Sequence, residues 1–152
     1  MENSISSVFG IGEVDADSYS PLVLAYIGDC VYELTIRTLL VNKGNAPVNT
    51  LNKKASNLAK APTQALMITS IMDDLSEEEV AVYKRGRNAK SFTSAKNSSL
   101  GDYRKATGFE ALIGYLYLKK ETQRAMEIIR MGFEAIGFLN DKNDKKQGTG
   151  EV

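Results

Sequence analysis

Asp29 and Glu110 are the residues of this chain best suited to chemistry, because each interrupts a segment that is otherwise apolar. Asp29 lies within Leu22-Val23-Leu24-Ala25-Tyr26-Ile27-Gly28-Asp29-Cys30-Val31-Tyr32-Glu33-Leu34, and Glu110 within Phe109-Glu110-Ala111-Leu112-Ile113-Gly114-Tyr115-Leu116. An unpaired buried carboxylate costs several kcal/mol, so acids in such settings usually face a cation. The chain has no His and one Cys. A cation other than Lys or Arg is therefore expected to be a hard, oxygen-seeking ion such as Mg²⁺ or Mn²⁺ rather than zinc. The lack of His also removes imidazole-based serine and cysteine triads and His general bases. What remains points toward phosphate chemistry.

The formal net charge is zero, but the charges are segregated along the chain. Lys84, Arg85, Arg87, Lys90, Lys96, Arg104 and Lys105 face only Asp102 within their segment, while Asp73, Asp74, Glu77, Glu78 and Glu79 lie just upstream. A neutral average thus hides a basic face of the kind a nucleic-acid partner needs.

These residues must be positioned by helices. Ser20-Pro21 is a helix entry, since a Ser hydroxyl caps free amides and Pro tolerates the first helical position. The first long helix is expected to run to about Val41, before Asn42-Lys43-Gly44. Pro47 predicts a second helix through Ala59, and Pro62 a third through Met72. Ser76-Glu77-Glu78-Glu79 reads as a capping box opening a fourth helix into Arg85 or beyond. Residues 91–101 read as a Ser-rich loop. Helical patterns return from about Asp102 to Lys119 and from Glu121 to Leu139, the last with Ala125, Ile128, Ile129, Phe133 and Ile136 in register. No segment alternates strictly and no hairpin turn is present, so the fold class is expected to be all-α.

With 152 residues, 43% of them hydrophobic and 25% charged, the chain suits one soluble domain. Residues 1–16 and 141–152 lack sustained periodicity and are expected to be flexible ends, leaving 17–140 as the folded unit. A lone Cys30, no secretory leader and no long uninterrupted apolar run make the cytoplasm the expected compartment.

Gly28 adjoins Asp29, and Gly114 lies one turn after Glu110. Glycine is unfavourable by about 1 kcal/mol in a helix interior, so its presence suggests close packing by another backbone. A crossing at Gly28 and Gly114 would bring Asp29 and Glu110 to one site. Pairing of each acid with an Arg such as Arg37 or Arg104 is the competing reading, weakened because two acids share the same context. Glu33, one turn from Asp29, is a candidate extra ligand, but more readily a partner for Arg37. Tyr26, Cys30, Tyr32, Tyr115 and Tyr117 read as core or interface residues.

The segment Tyr26-Ile27-Gly28-Asp29-Cys30-Val31-Tyr32-Glu33 resembles the signature helix of the ribonuclease III family, and Phe109 to Leu116 resembles its second catalytic helix. Lys84-Arg85-Gly86-Arg87-Asn88-Ala89-Lys90-Ser91 resembles the compact bacterial Mini-III subgroup, which lacks the double-stranded RNA-binding domain of the larger enzymes. The resemblance spans about residues 17–139. It implies a metal-dependent endoribonuclease for double-stranded RNA, leaving a 5′ phosphate and a 3′ hydroxyl. Asp29 and Glu110 would be its catalytic metal ligands, with Mg²⁺, or Mn²⁺ in substitution. It further implies a homodimer, one active site per subunit, and a role in maturing large-subunit ribosomal RNA precursor. Where larger enzymes carry two more acids, this chain has Ala25 and Thr107. That departure sustains an alternative, a degenerate module that binds structured RNA without cutting it. Duplex RNA is recognised mainly by shape and backbone. Arg85, Arg87, Asn88 and Lys90 are the foremost candidates to follow that backbone, with Lys96, Lys53 and Lys54 weaker ones more easily read as merely solvated.

Overall fold

The computed structural model describes residues 1–90 and 99–139, and its regular elements there are helical. They are α1 (Glu2–Phe9), α2 (Pro21–Asn42), α3 (Val48–Ala59), α4 (Ala61–Ile71), α5 (Glu77–Asn88), α6 (Leu100–Leu118) and α7 (Thr122–Ala135), with short 3₁₀ turns at Ala16–Ser18 and Met72–Asp74. Capping sets several of these starts. The Ser20 hydroxyl accepts from the Leu22 amide, and Ser76 and Glu79 complete the reciprocal capping box of α5. Ser99 accepts from the Asp102 amide, so α6 begins about two residues before the expected Asp102. Most of the Ser-rich stretch before it, Lys96 included, lies outside the described residues, as do residues 140–152.

The last helix stops at Ala135 rather than Leu139 because of a specific termination. Gly137 adopts φ 80°, the Phe138 amide donates to the Phe133 carbonyl, and the Gly137 amide donates to that of Glu134. This is a Schellman motif, completed by Phe138 packing edge-on against Phe133 at 4.9 Å between ring centroids.

α6 is the central helix, packed against α2, α4, α5 and α7. Its residues from Ala111 through Leu116 are buried without a break, which explains why the segment looks apolar all round. Tyr32 of α2 is fully buried among Phe109 and Phe133, and its hydroxyl donates to the Leu58 carbonyl at 2.7 Å. Fully burying a large apolar side chain contributes roughly 1.5–3 kcal/mol, and this aromatic centre joins four helices.

One difference from the sequence reading concerns the N-terminus. Residues 2–9 form α1, although none of them is buried. Glu2 accepts a hydrogen bond from Thr122, and Glu13 pairs with Lys120 at 3.3 Å. A helix of two turns is unstable alone. Its support is tertiary.

Candidate functional site

The acids are brought together by glycine. A Cβ placed on Gly28 would stand 1.8 Å from the Glu110 carbonyl oxygen, and one on Gly114 would stand 1.9 Å from that of Leu24. No side chain fits either place, so α2 and α6 cross backbone to backbone. Asp29 follows one contact point and Glu110 forms part of it. Both line a cleft of about 440 Å³, with Ala25, Tyr26, Tyr103 and Thr107 among its walls.

A second close crossing puts the basic segment beside the first. A Cβ on Gly86 of α5 would lie 2.8 Å from both Ala111 Cβ and Gly108 Cα, the residues that flank Phe109 and Glu110. Arg85, Arg87 and Asn88 surround Gly86 at the end of α5 nearest the acids. Arg85 and Asn88 are exposed, as is Lys90 just beyond the helix. Arg87 stacks over the Tyr83 ring at 5.7 Å and donates to Asn88 Oδ1, which holds both side chains at the surface. Lys53 and Lys54 are exposed on α3 and do not line the cleft.

The electrostatics of the cleft are unbalanced. Burial, and then the charge of Asp29, push the Glu110 carboxyl up to about 7, while a hydrogen bond from Gln64 pulls the other way. Burial on its inner side, followed by the charge of Glu33, also raises Asp29. Neither acid forms an ion pair with Lys or Arg among the described residues. Arg37 is engaged with Glu33 at 3.1 Å, and Arg104 is exposed. The Arg-pairing alternative therefore fails for both acids, and Glu33 takes the structural role expected of it.

Two acids, oxygen donors throughout, suit a hard divalent ion that keeps several waters. The described residues contain no group of three or more His, Cys, Asp or Glu placed to hold a metal. Ala25 and Thr107 line the cleft but contribute no carboxylate, and the Thr107 hydroxyl donates to the Tyr103 carbonyl. Among the tyrosines, Tyr32 is core, whereas Tyr26 is 82% exposed beside Asp29.

Sequence reasoning missed Gln64. This residue is 1% exposed, and its amide reaches Glu110 from α4. A signal existed, because Gln64 shares a helical face with Met67, Ile68 and Ile71, all buried.

Comparison with known proteins bears on the same helices. The ribonuclease III domain profile matches residues 22–121. The chain is 49% identical over 138 residues to the Mini-ribonuclease 3 of Clostridium tetani, covering 90% of this chain and 87% of that protein. It is 50% identical over 119 residues to the Mini-ribonuclease 3 of a Thermoanaerobacter species, covering 78% and 84%. A crystal structure of a Fusobacterium nucleatum protein superposes with a TM-score of 0.70 at 34% identity, covering 77% of this chain and 93% of that one.

Proposed function

This chain belongs to the ribonuclease III family, in its Mini-ribonuclease 3 group, and is an endoribonuclease of double-stranded RNA; from that premise we propose that Asp29 and Glu110 form its metal-binding catalytic site. The family is divalent-metal dependent, and the proposed ion is Mg²⁺, with Mn²⁺ able to substitute. The observation that carries the reading is geometric: the α2–α6 crossing sets Asp29 and Glu110 in one cleft with no Lys or Arg paired to either among the described residues, and burial, then the charge of Asp29, raises Glu110. When bound, such an ion supplies Lewis-acid chemistry, lowering the pKa of a coordinated water and offsetting charge that develops on the scissile phosphate. Asp29, exposed at the mouth of the cleft, and Glu110, recessed behind it, would hold the ion from two sides. The α2–α6 crossing fixes their separation, because neither backbone can move toward or away from the other without disrupting the packing at Gly28 or Gly114. Preorganised placement of this kind lowers a barrier without rearrangement at the moment of reaction.

Arg85, Arg87, Asn88 and Lys90 are proposed to track the RNA backbone into the cleft, with Lys96, Lys53 and Lys54 as outer contacts. The exposed apolar stripe on α2 supports a homodimer. Val23, Tyr26, Cys30 and Leu34 recur at helical spacing and are exposed, in a helix whose opposite face is core. A two-fold axis near that stripe would match the two antiparallel strands of a duplex with one site each. We assign the ribosomal RNA precursor as substrate and the cytoplasm as compartment in the same proposal; no described helix is long and apolar enough to cross a membrane.

The test is cleavage of duplex RNA by the purified protein with and without Mg²⁺, followed by mixing with excess Asp29→Asn subunits. Metal-dependent double-strand cutting that turns into nicking in the mixture is the expected result. Binding without cleavage at saturating Mg²⁺ would sink the enzymatic site, and full double-strand cutting by a monomer would sink the dimer.

A further inference from the structure

Glu110 does not face the cleft unsupported. The Gln64 side-chain nitrogen donates to Glu110 Oε1 at 3.1 Å and to the Ala59 carbonyl at 2.8 Å. Both hydrogens of one amide group are thus placed on two acceptors, one from the end of α3 and one from α6. The orientation is set by the Ala59 carbonyl, which can only accept: the reverse orientation would set the amide oxygen against it. The consequence falls on Gln64 itself. Its own Oε1 is buried and has no donor among the described residues. An amide that satisfies two neighbours while its own oxygen goes without a protein partner is arranged around those neighbours.

The choice of residue is informative. Lys or Arg at this position would also hold Glu110, but as an ion pair, and the carboxylate charge would then be cancelled. Ser or Asn on the same backbone would be too short to bridge the same two acceptors. A neutral side chain with two donors on one atom restrains the carboxylate and leaves its charge available. The other residues on its face of α4, Met67, Ile68 and Ile71, are apolar and buried, so Gln64 is the one polar side chain there.

We infer that Gln64 is a positioning residue for the cation site, orienting the Glu110 carboxylate from α4 without neutralising it. The inference rests on the reading of Asp29 and Glu110 as metal ligands and adds a residue on a third helix. Gln64 does not line the cleft and would act through Glu110. Residues that orient metal ligands commonly change affinity or activity by about 10–100-fold when replaced.

Two substitutions separate positioning from simple packing. Gln64→Met keeps the volume and removes both donors. Gln64→Lys keeps a donor near the same acceptors and adds a charge. Binding of Mn²⁺ alone is measured by electron paramagnetic resonance on the full-length protein without RNA, beside thermal melting and duplex cleavage. Gln64→Met is expected to weaken Mn²⁺ binding about tenfold and to raise the metal concentration for half-maximal cleavage, with affinity for duplex RNA unchanged. Gln64→Lys is expected to remain folded through its contact with Glu110, yet to weaken Mn²⁺ binding further and lose cleavage. Unchanged Mn²⁺ binding in folded Gln64→Met would overturn the inference, as would a fully active Gln64→Lys, which a merely structural role predicts. Asp29→Asn and Glu110→Gln run in the same titration. If both retain the Mn²⁺ affinity of the wild type, the ligand assignment itself has failed and the inference falls with it; if they lose it while Gln64→Met does not, only the role of Gln64 is overturned.

Discussion

Two groups of acids stand a few helical turns apart in this protein and are treated in opposite ways. Glu78 and Glu79, at the start of α5, are met by cations and donors. Glu79 takes two hydrogen bonds from the Arg124 guanidinium, at 2.8 and 2.9 Å, and another from the Ser76 amide. Glu78 accepts from Lys119 at 3.1 Å and from the Tyr115 hydroxyl. These contacts lock α5 onto α6 and α7, and Arg124 first, then the Ser76 amide, hold the Glu79 carboxyl below its ordinary range. Among the described residues Asp29 and Glu110 meet no Lys or Arg, Glu110 accepting only from the neutral Gln64 amide, and both are raised. Glu78 and Glu79, from the acidic run that looks conspicuous in the sequence, therefore act as a clasp, while two isolated acids form the proposed site. An acid whose charge the fold cancels serves the fold; one whose charge the fold preserves is available to a ligand.

The widest separation between the two groups should appear in activity. Asp29→Asn or Glu110→Gln is expected to lower duplex cleavage by about 10³-fold or more, since metal-assisted stabilisation of a phosphoryl transition state contributes several kcal/mol. Helical content by circular dichroism should be retained. Near-normal turnover at saturating Mg²⁺ would place the chemistry elsewhere.

The crossing that holds the unpaired acids should be the next most sensitive element. Gly28→Ala or Gly114→Ala puts a carbon within 2 Å of a backbone oxygen, and a backbone cannot yield as a side chain can. We expect a loss of about 3 kcal/mol or more in urea denaturation. Full stability in either variant would mean that the helices can separate, and the fixed spacing of Asp29 and Glu110 would no longer be explained.

Arg124→Ala sharpens the contrast from the other side. It leaves Glu79 buried without its cation and should destabilise the protein by about 2–3 kcal/mol. Cleavage per folded molecule should stay within about twofold. A selective loss of activity without loss of stability would contradict the clasp.

The two groups should also respond to pH with opposite sign. Glu79 has a depressed folded value, so its contribution is present above the ordinary value of 4.5 and is lost as pH falls through the lower folded value. Glu110 is raised from 4.5 to about 7. Between those values the folded state binds more protons than the unfolded one, so stability declines as pH rises, by up to about 1.4 kcal/mol per pH unit. In chelator, Glu110→Gln should remove that decline, and Mg²⁺ at pH 8 should raise the melting temperature of the wild type but not of the variant. An identical pH profile for both proteins would reject the buried, uncompensated state of Glu110.

The smallest expected effect is on recognition by the basic segment. Replacing Arg85, Arg87 and Lys90 by Gln should weaken duplex binding and flatten its salt dependence by up to about 0.9 log-log unit for each phosphate no longer neutralised, the figure for duplex DNA. A salt slope equal to that of the wild type would move the RNA surface away from the end of α5.

Much of the framework was legible because it is encoded locally. Ser20-Pro21 and the Ser76/Glu79 box mark helix starts through hydrogen bonds to amides two or three residues away. Asp29, Glu110, Gly28 and Gly114 stood out because each contradicts the apolar helix around it. The tyrosines were less legible. Tyr26 and Tyr32 occur six residues apart in one apolar run, yet one is 82% exposed and the other fully buried. A helix apolar on most of its circumference does not disclose which side its neighbours will cover.

The sequence by itself determined an all-helical chain, the two acids and the glycines that let them meet, because helical period, capping and the absence of a side chain are properties of short stretches. Only the tertiary structure decided that Arg124 clasps Glu79 across 45 residues and that Gln64 reaches Glu110 across 46. Only it decided that α1 exists as a docked helix. Each depends on a hydrogen bond or surface supplied by a distant element, and such a partner leaves no mark on the residues beside the one it completes.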